Sequence, residues 1–191
     1  MFASLYDRVL GWSGHRHAPR YLVGLSFAEA TFFPVPPDVM LAPMVLASRA
    51  RAWRLAGLTT LASVAGGLVG YLIGWFGLEL VWPLIVATGQ EAAYHRAVQA
   101  FEEFGLLFVI IAGFTPIPFK LITLSAGALH MPLLPFVVGS LIGRAARFYL
   151  VAAIVWAGGE RAAEHLRKRI DAIGWTVVAL VATGGLVWWL W

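Results

Sequence analysis

The chain has 191 residues, of which 60% are hydrophobic and only 13% are charged, and its mean hydropathy is +0.79. A soluble domain carries roughly 45–50% apolar and about 25% charged residues, so the composition excludes that class and favours a chain embedded mostly in lipid. The formal charge of +4 does not indicate a nucleic-acid partner, because the basic residues flank long apolar runs, as they do at a membrane surface. The absence of cysteine excludes disulfides and thiolate metal sites.

Residues 1–20 are predicted to form a cytoplasmic N-terminal segment that lies in the membrane interface and carries Arg8, Arg16 and Arg20. A cleavable signal peptide is not expected, because the first apolar run begins only at Tyr21 and is broken by Glu29 and Pro34. The chain is therefore expected to enter the membrane first at Tyr21.

The first apolar stretch, residues 21–48, is interrupted near its middle by Pro34, Pro36 and Pro37. Proline lacks an N–H group and disfavours helix at the residue before it, so the cluster should end one short helix and turn the chain. Neither remaining half is long enough to cross a hydrocarbon core of about 30 Å. The stretch is therefore predicted to be a re-entrant hairpin; a single long kinked helix is the alternative.

Residues 55–78 form an uninterrupted apolar run without a charge and are predicted to span the membrane. Residues 79–103 are predicted to form an acidic extracytoplasmic loop or surface helix. This segment contains Glu79, Glu91, Glu102 and Glu103.

The same order of segments then recurs. Residues 104–131 are interrupted by Pro116 and Pro118 and are predicted to form a second re-entrant hairpin. Residues 133–157 form a second span, interrupted only by Arg144 and Arg147. A basic cytoplasmic linker, residues 158–172, and a C-terminal transmembrane helix, residues 173–191, complete the prediction.

The distribution of basic residues favours the re-entrant arrangement. Positive charges accumulate in cytoplasmic loops, and two re-entrant hairpins place all but one of the flanking bases on one side of the membrane. These are Arg8, Arg16, Arg20, Arg49, Arg51, Arg54, Arg161, Arg167, Lys168 and Arg169. Only Arg96 falls on the other side, so we predict a multi-pass protein with a cytoplasmic N-terminus and an extracytoplasmic C-terminus.

An internal repeat links the two proline turns. The sequence FPVPPD at residues 33–38 matches TPIPFK at residues 115–120 at a fixed offset of 82 residues. One span separates the hairpins, so they should enter from opposite faces, as in inverted-topology transporters whose broken helices meet near the midplane. The predicted fold is an all-α polytopic membrane protein built as this inverted repeat, residues 21–78 and 104–157, with a further C-terminal helix.

Five ionisable residues are predicted to lie at membrane depth. Such groups are costly in lipid and usually face a partner or a water-filled cavity. They are Glu29, Asp38, Lys120, Arg144 and Arg147. Three bases and two acids suit an anionic guest, and two arginines three residues apart can grip a phosphate. The alternative is structural: Asp38 pairs with Lys120, Glu29 pairs with an arginine, and the charges lock the two halves together.

Two sets of glycines predict close helix packing. Gly66, Gly70 and Gly74 recur every four residues in the first span, and Gly139 and Gly143 do so in the second. Small residues at this spacing let helices approach closely. Packing between the two halves is favoured over dimerisation, although a homo-oligomer stays open.

The turn PVPPD after Glu29, the segment GFTPIPFK and the run SAGAL at residues 125–129 resemble the DedA family of bacterial inner-membrane proteins, and most closely its YqaA-like branch. The family shares a domain with the eukaryotic VTT proteins. The resemblance implies membrane homeostasis linked to the proton motive force, with lipid translocation, notably of undecaprenyl phosphate. It implies proton coupling by Glu29 and Asp38 and places Lys120 near the family's second basic residue. One departure is Gly113, which stands where many members carry an arginine.

The leading hypothesis is a proton-coupled lipid translocase in which Lys120, Arg144 and Arg147 hold a lipid phosphate while Glu29 and Asp38 exchange protons. A small-solute or ion transporter and a membrane-organising factor without a substrate are the alternatives. An enzyme is not expected, because no nucleophile elbow accompanies the serines. The scattered histidines have no metal-ligand spacing, so neither a metal nor a cofactor is predicted.

Overall fold

The computed structural model of the chain describes residues 15–33, 35–89, 91–115 and 118–159. Within these ranges it contains helices and short connections and no β-strand, so the predicted all-helical class is confirmed. The helices are α1 (Ala18–Thr31), α2 (Asp38–Ala47), a 3-10 turn (Arg49–Arg51), α3 (Ala52–Ala87), α4 (Glu91–Phe114), α5 (Phe119–Ala128) and α6 (Leu133–Gly159). Residues 1–14, nearly all of the predicted basic linker and the predicted C-terminal span lie outside the described ranges, as do Pro34 and Pro116.

Both predicted interruptions fall between helices. α1 ends at Thr31, and the N–H groups of Phe32 and Phe33 both donate to the Ala28 carbonyl as the chain leaves the helix. α2 then begins at Asp38, immediately after Pro36 and Pro37. In the second half, α4 ends at Phe114 and α5 begins at Phe119, directly after Pro118. These ends follow from the missing proline N–H and from the restriction on the preceding residue.

The segment between the two halves is more helical than the hydropathy pattern suggests. α3 continues past the predicted end of its span at Leu78 to Ala87, although Glu79 and Pro83 lie on the way. α4 is one helix of 24 residues, so no helix boundary falls near Phe104. Charged residues such as glutamate are good helix formers. Hydropathy therefore predicts which part of a helix lies in the membrane. It does not predict where the helix ends, because that depends on the helix propensity of the residues beyond the apolar run.

The two long helices run antiparallel to each other. The ring of Trp53 near the start of α3 lies 6.3 Å from that of Trp156 near the end of α6. Nearer the middle of both helices, Ser63 of α3 is hydrogen-bonded to Arg144 of α6. The segments Arg49–Ala87 and Leu133–Gly159 are each long and apolar enough to cross a membrane. They contain the two spans predicted in this part of the chain.

The shorter helices lie along these two. α1 runs parallel to the first part of α3, with the Phe27 backbone against Gly66 and the Ala30 carbonyl near Gly70. α5 follows the next part of α3 in the same direction, because Thr123 contacts Gly70 and Leu124 contacts Gly74.

α4 stands in the same relation to α6. The side chain of Val109 lies against Gly139, and the backbone of Ile110 lies against Gly143. The first helix of each half is therefore parallel to the long helix that ends that half.

The buried apolar side chains form two clusters that meet at the middle of the bundle. The first joins α1, α2, the start of α3 and the second part of α6, and includes Leu22, Met40 and Phe148. The second joins α4, α5, the later part of α3 and the start of α6, and includes Phe119 and Phe136. The first cluster thus combines α1 and α2 with one end of both long helices, and the second combines α4, α5 and Ala30 of α1 with the other end. The charged residues lie where the clusters meet.

Candidate functional site

The first ion pair joins α6 to α1. Nη2 of Arg144 donates to Oε2 of Glu29 at 2.5 Å, and Nε of the same guanidinium donates to Oγ of Ser63 at 2.7 Å. The side chain of Arg144 is 2% exposed, whereas that of Glu29 is 15% exposed. Arg144 therefore links three helices through its hydrogen bonds, and the carboxylate is the partner that reaches the surface of the site.

Two aromatic rings hold the faces of the Arg144 guanidinium. Its central carbon lies 4.7 Å from the ring centroid of Phe148 and 4.9 Å from that of Phe119. Phe148 belongs to the first apolar cluster and Phe119 to the second. Cation–π contact adds to the hydrogen bonds and is stronger where water is excluded, so Arg144 is fixed at the junction of the two clusters.

The second ion pair joins the two proline turns. Nη2 of Arg147 donates to Oδ2 of Asp38 at 2.6 Å, and Nη1 donates to the carbonyl of Thr115 at 2.8 Å. Asp38 is the first residue of α2, and Thr115 directly follows the end of α4. The Thr115 carbonyl is available because the chain leaves the helix there and Pro118 has no N–H to offer.

The two ion pairs differ in which partner, the arginine or the carboxylate, is the more exposed. In the second pair the carboxylate of Asp38 is 1% exposed, whereas the side chain of Arg147 is 16% exposed. In the first pair the arginine is the enclosed partner. The site therefore presents one acid, Glu29, and one base, Arg147, while Asp38 and Arg144 act as enclosed counter-charges.

Lys120 is not part of either pair. It lies in the first turn of α5 and is partly buried. Within the described residues no carboxylate oxygen lies within 4 Å of its ammonium group. In the structural alternative, the pairing of Lys120 with Asp38 is wrong, because Arg147 holds that carboxylate, whereas Glu29 does pair with an arginine. The side chain of the neighbouring Phe119 faces α3. Because one residue along a helix turns a side chain by about 100°, the Lys120 side chain points in a different direction from that of Phe119.

Two buried polar atoms lack a hydrogen-bond partner among the described residues. They are Oδ1 of Asp38 and Oγ of Ser140. Ser140 precedes Arg144 by one helical turn on α6. Buried polar groups are nearly always paired, so these atoms indicate that the centre of the bundle can accommodate further polar contacts.

The predicted packing glycines lie at close contacts between helices. A Cβ at Gly66, Gly70 or Gly74 would overlap atoms of α1 or α5, and one at Gly143 would overlap the Ile110 carbonyl of α4. Gly139 lies equally close to Leu106 and Val109. A Cβ at Gly113 would lie 3.2–3.3 Å from the backbone of Gly143 and Arg144, so the larger side chain that the resemblance would place at this position requires α4 and α6 to move slightly apart.

Several residues of the site are not identifiable from the sequence. Ser63, Phe119 and Phe148 carry no motif, and a single serine or phenylalanine in an apolar helix gives no signal of contact with a distant arginine.

Among the described residues there is no group of three or more histidine, aspartate or glutamate side chains arranged to hold a metal ion.

Apolar helices long enough to cross a membrane, with two enclosed carboxylate–arginine pairs between proline-interrupted helices, define a helical membrane protein with an ionisable centre. The chain belongs to the VTT-domain family, also called the DedA family, whose domain model matches residues 35–157. The match includes Asp38, Lys120, Arg144 and Arg147, and Glu29 lies just before it. The family is membrane-associated and generally transporter-like.

Two relatives match the chain over nearly its full length, and a third matches about two thirds of it. An uncharacterized protein of Haemophilus influenzae is 46% identical over 94% of each chain, and one of Histophilus somni is 39% identical over 98% of each. An uncharacterized protein of the archaeon Methanocaldococcus jannaschii is 30% identical over 69% of this chain and 78% of its own. No solved structure matches the chain significantly.

Proposed function

We propose that this protein is a proton-coupled translocase, or flippase, for a phosphate-bearing lipid such as undecaprenyl phosphate or a phospholipid in a bacterial inner membrane. The observation that carries the proposal is the pair of carboxylate–arginine contacts at the centre of the bundle. Ionisable groups at membrane depth mark substrate and proton pathways in transporters.

The lengths of the helices support a re-entrant arrangement of the first half. α1 has 14 residues and α2 has 10, which at about 1.5 Å per residue gives about 21 Å and 15 Å. Both fall short of a hydrocarbon core of about 30 Å. The start of α1 also packs beside the start of α3, since Ala18 and Ala52 share one cluster. These lengths and the parallel course of α1 and α3 support a first hairpin that enters and leaves on one side.

The second half repeats the order and relative direction of these helices in the opposite sense, although α4, with 24 residues, is longer than α1. α4 is parallel to α6 as α1 is to α3, and the two long helices are antiparallel. An inverted repeat has this relation between its halves, and it brings the ends of broken helices together at the midplane. Arg147, which contacts both proline turns, lies where such a substrate site belongs.

The exposure of the charges assigns them different roles. Arg147 is the arginine that a phosphate can reach, and Lys120 supplies a second positive charge without an ion-pair partner in the described part of the chain. Glu29 is the carboxylate open to proton exchange. Protonation of a carboxylate releases its arginine, so proton uptake and phosphate binding are coupled through the same two pairs.

One observation favours a second candidate, a membrane-organising protein without a transported substrate. Both arginines are already paired with acids, and Arg144 is fully enclosed. Ion pairs of this kind can hold helices in register without further function. Under this candidate, removal of a charge lowers stability and changes no transport rate selectively.

Reconstitution into liposomes tests the proposal. Purified protein is placed in vesicles that contain a fluorescent undecaprenyl phosphate or a fluorescent phospholipid, and transfer between leaflets is followed with and without an imposed pH gradient. We expect transfer that depends on the gradient and that is lost in Glu29→Gln and Arg147→Gln. Arg96→Gln, which removes an exposed arginine of α4 far from the pairs, serves as the matched control.

Folding is monitored in parallel by size-exclusion chromatography and thermal unfolding in detergent. Loss of transfer in a variant that remains folded supports the translocase. Absence of transfer of any lipid by the folded wild-type protein would contradict it and would favour a small solute or a purely structural role for the charges.

A further inference from the structure

An exposed aromatic cluster lies where α3 begins and α6 ends. The rings of Trp53 and Tyr149 are nearly parallel, with an interplanar angle of 15° and centroids 6.1 Å apart, and Trp156 lies 6.3 Å from Trp53. These three side chains, 46%, 40% and 45% exposed, are here called the aromatic ledge. Residues about a hundred positions apart in the chain thus form one surface.

Arg49 lies beside this ledge. It precedes Trp53 by four residues, a spacing that places two side chains on the same face of a helical segment. Its Nη2 would lie 3.2 Å from a Cβ atom at Gly159, so the guanidinium lies close to the last described residue of α6. Arg49 is nevertheless exposed.

Among the described residues, the exposed charges at this end of the bundle have one sign. Exposed arginines at this end of the bundle include Arg20, Arg49, Arg51 and Arg54. Outside the two buried pairs, the carboxylates of the described residues lie on the later part of α3 and on α4. They are Glu79, Glu91, Glu102 and Glu103. The described part of the surface around the ledge is therefore complementary to an anion.

We infer that Arg49 and the aromatic ledge form a binding site for the headgroup of an anionic phospholipid, separate from the central ion pairs. The planar guanidinium is suited to a phosphate, and tryptophan and tyrosine rings favour the level of the lipid headgroups. A free phosphate would use only Arg49, whereas a phospholipid also covers the three ring faces with its glycerol and first methylene groups. The inference requires a membrane but does not require that the protein transports lipid.

The test measures which lipid remains bound to the protein. The full chain is reconstituted in nanodiscs of phosphatidylcholine with 10% phosphatidylglycerol, extracted in mild detergent and analysed by native mass spectrometry. We expect phosphatidylglycerol to be retained in preference to phosphatidylcholine. Arg49→Gln should lower that preference about tenfold, the loss expected for one hydrogen bond between a charged donor and a phosphate, and Trp53→Leu should also lower it.

Arg51→Gln is the matched control. Arg51 lies two residues from Arg49 and is also exposed, but its Nε donates to Oγ of Ser48. The substitution removes the same charge from the same end of the bundle and should leave the preference nearly unchanged. Equal losses in Arg49→Gln and Arg51→Gln would show a general surface attraction and would overturn the site.

A variant without any change of charge gives an independent measurement. A methyl group at Gly57 would lie 3.1 Å from the Tyr149 hydroxyl, so Gly57→Ala should move that hydroxyl by a few tenths of an ångström and lower retention of phosphatidylglycerol slightly. Two results would overturn the inference. One is displacement of phosphatidylglycerol by inorganic phosphate. The other is a lower melting temperature in Trp53→Leu and Gly57→Ala with unchanged lipid retention, which would mean that the ledge packs against the protein itself.

Discussion

Arg147 and Asp38 are 109 residues apart in the chain and are joined by a hydrogen bond of 2.6 Å between Nη2 and Oδ2. The same guanidinium donates to the carbonyl of Thr115. One side chain of the second long helix therefore holds the two proline turns together. Because both turns depend on it, this pair should affect stability as well as transport, and the two effects have to be separated by experiment.

Asp38→Asn keeps the shape of the side chain and removes its charge. Arg147 retains the Thr115 carbonyl but loses its counter-ion, so we expect the free energy of unfolding to fall by about 1–3 kcal/mol. We also expect lipid transfer driven by the pH gradient to be lost. Full gradient-driven transfer in the folded variant would remove Asp38 from the coupling.

The charge exchange that combines Asp38→Arg with Arg147→Asp separates the two effects. If the pair is only structural, the double variant should recover most of the stability lost in either single variant, and any activity should return with it. If Arg147 binds phosphate at its own position, stability should recover in part while transfer stays low. A double-mutant cycle of melting temperatures and transfer rates measures both.

Ser63→Ala should destabilise the protein although the change is small. The substitution removes the acceptor for Nε of the enclosed Arg144, and a hydrogen bond to a charged group is worth about 1.5–3 kcal/mol. Ser26→Ala is the matched control. Ser26 is equally buried, but its hydroxyl donates to the Leu22 carbonyl of its own helix. Equal decreases in the melting temperatures of the two variants would contradict a stabilising hydrogen bond between Ser63 and Arg144.

Gly74→Ala should weaken the packing of α5 on α3. A methyl group at Gly74 would overlap the carbonyl of Leu124, and added atoms in a packed interface cost about 1–3 kcal/mol. Gly77 lies one turn later with no atom within 4 Å of its Cβ position. Gly77→Ala should therefore stabilise α3 by about 0.5–1 kcal/mol. The opposite order of the two melting temperatures would argue against this helix contact.

Lys120→Gln should weaken lipid binding, whereas Arg144→Gln should mainly lower stability. Lys120 has no ion-pair partner among the described residues, so its loss should change stability by less than about 0.5 kcal/mol while weakening binding of a lipid phosphate. Arg144→Gln removes the charged partner of the Glu29 carboxylate and of the Ser63 hydroxyl. It should lower the free energy of unfolding by about 3–5 kcal/mol. Retained lipid measured by mass spectrometry, together with melting temperatures, distinguishes them. Unchanged phosphate-lipid binding in Lys120→Gln would exclude it as a ligand.

The sequence identifies the charged residues of the site but not their partners. Glu29, Asp38, Arg144 and Arg147 are conspicuous because charges are rare in apolar runs. The pairing of Asp38 with Lys120 is nevertheless wrong, since the equivalent positions of two repeats need not face each other. Ser63 could not be found, because a serine in an apolar helix is common and its distant partner is invisible in the sequence.

By itself, the sequence determined the class of the protein, the two apolar spans within the described residues and the places where the proline clusters end helices. Hydropathy and the missing proline N–H act locally, so these features can be predicted without knowledge of the tertiary structure. Only the tertiary structure decided that α3 and α6 lie antiparallel and that Arg147 reaches Asp38. It also decided that Arg144 is enclosed between Phe119 and Phe148. Those contacts depend on the relative depth and rotation of helices far apart in the chain, which packing of the whole bundle sets.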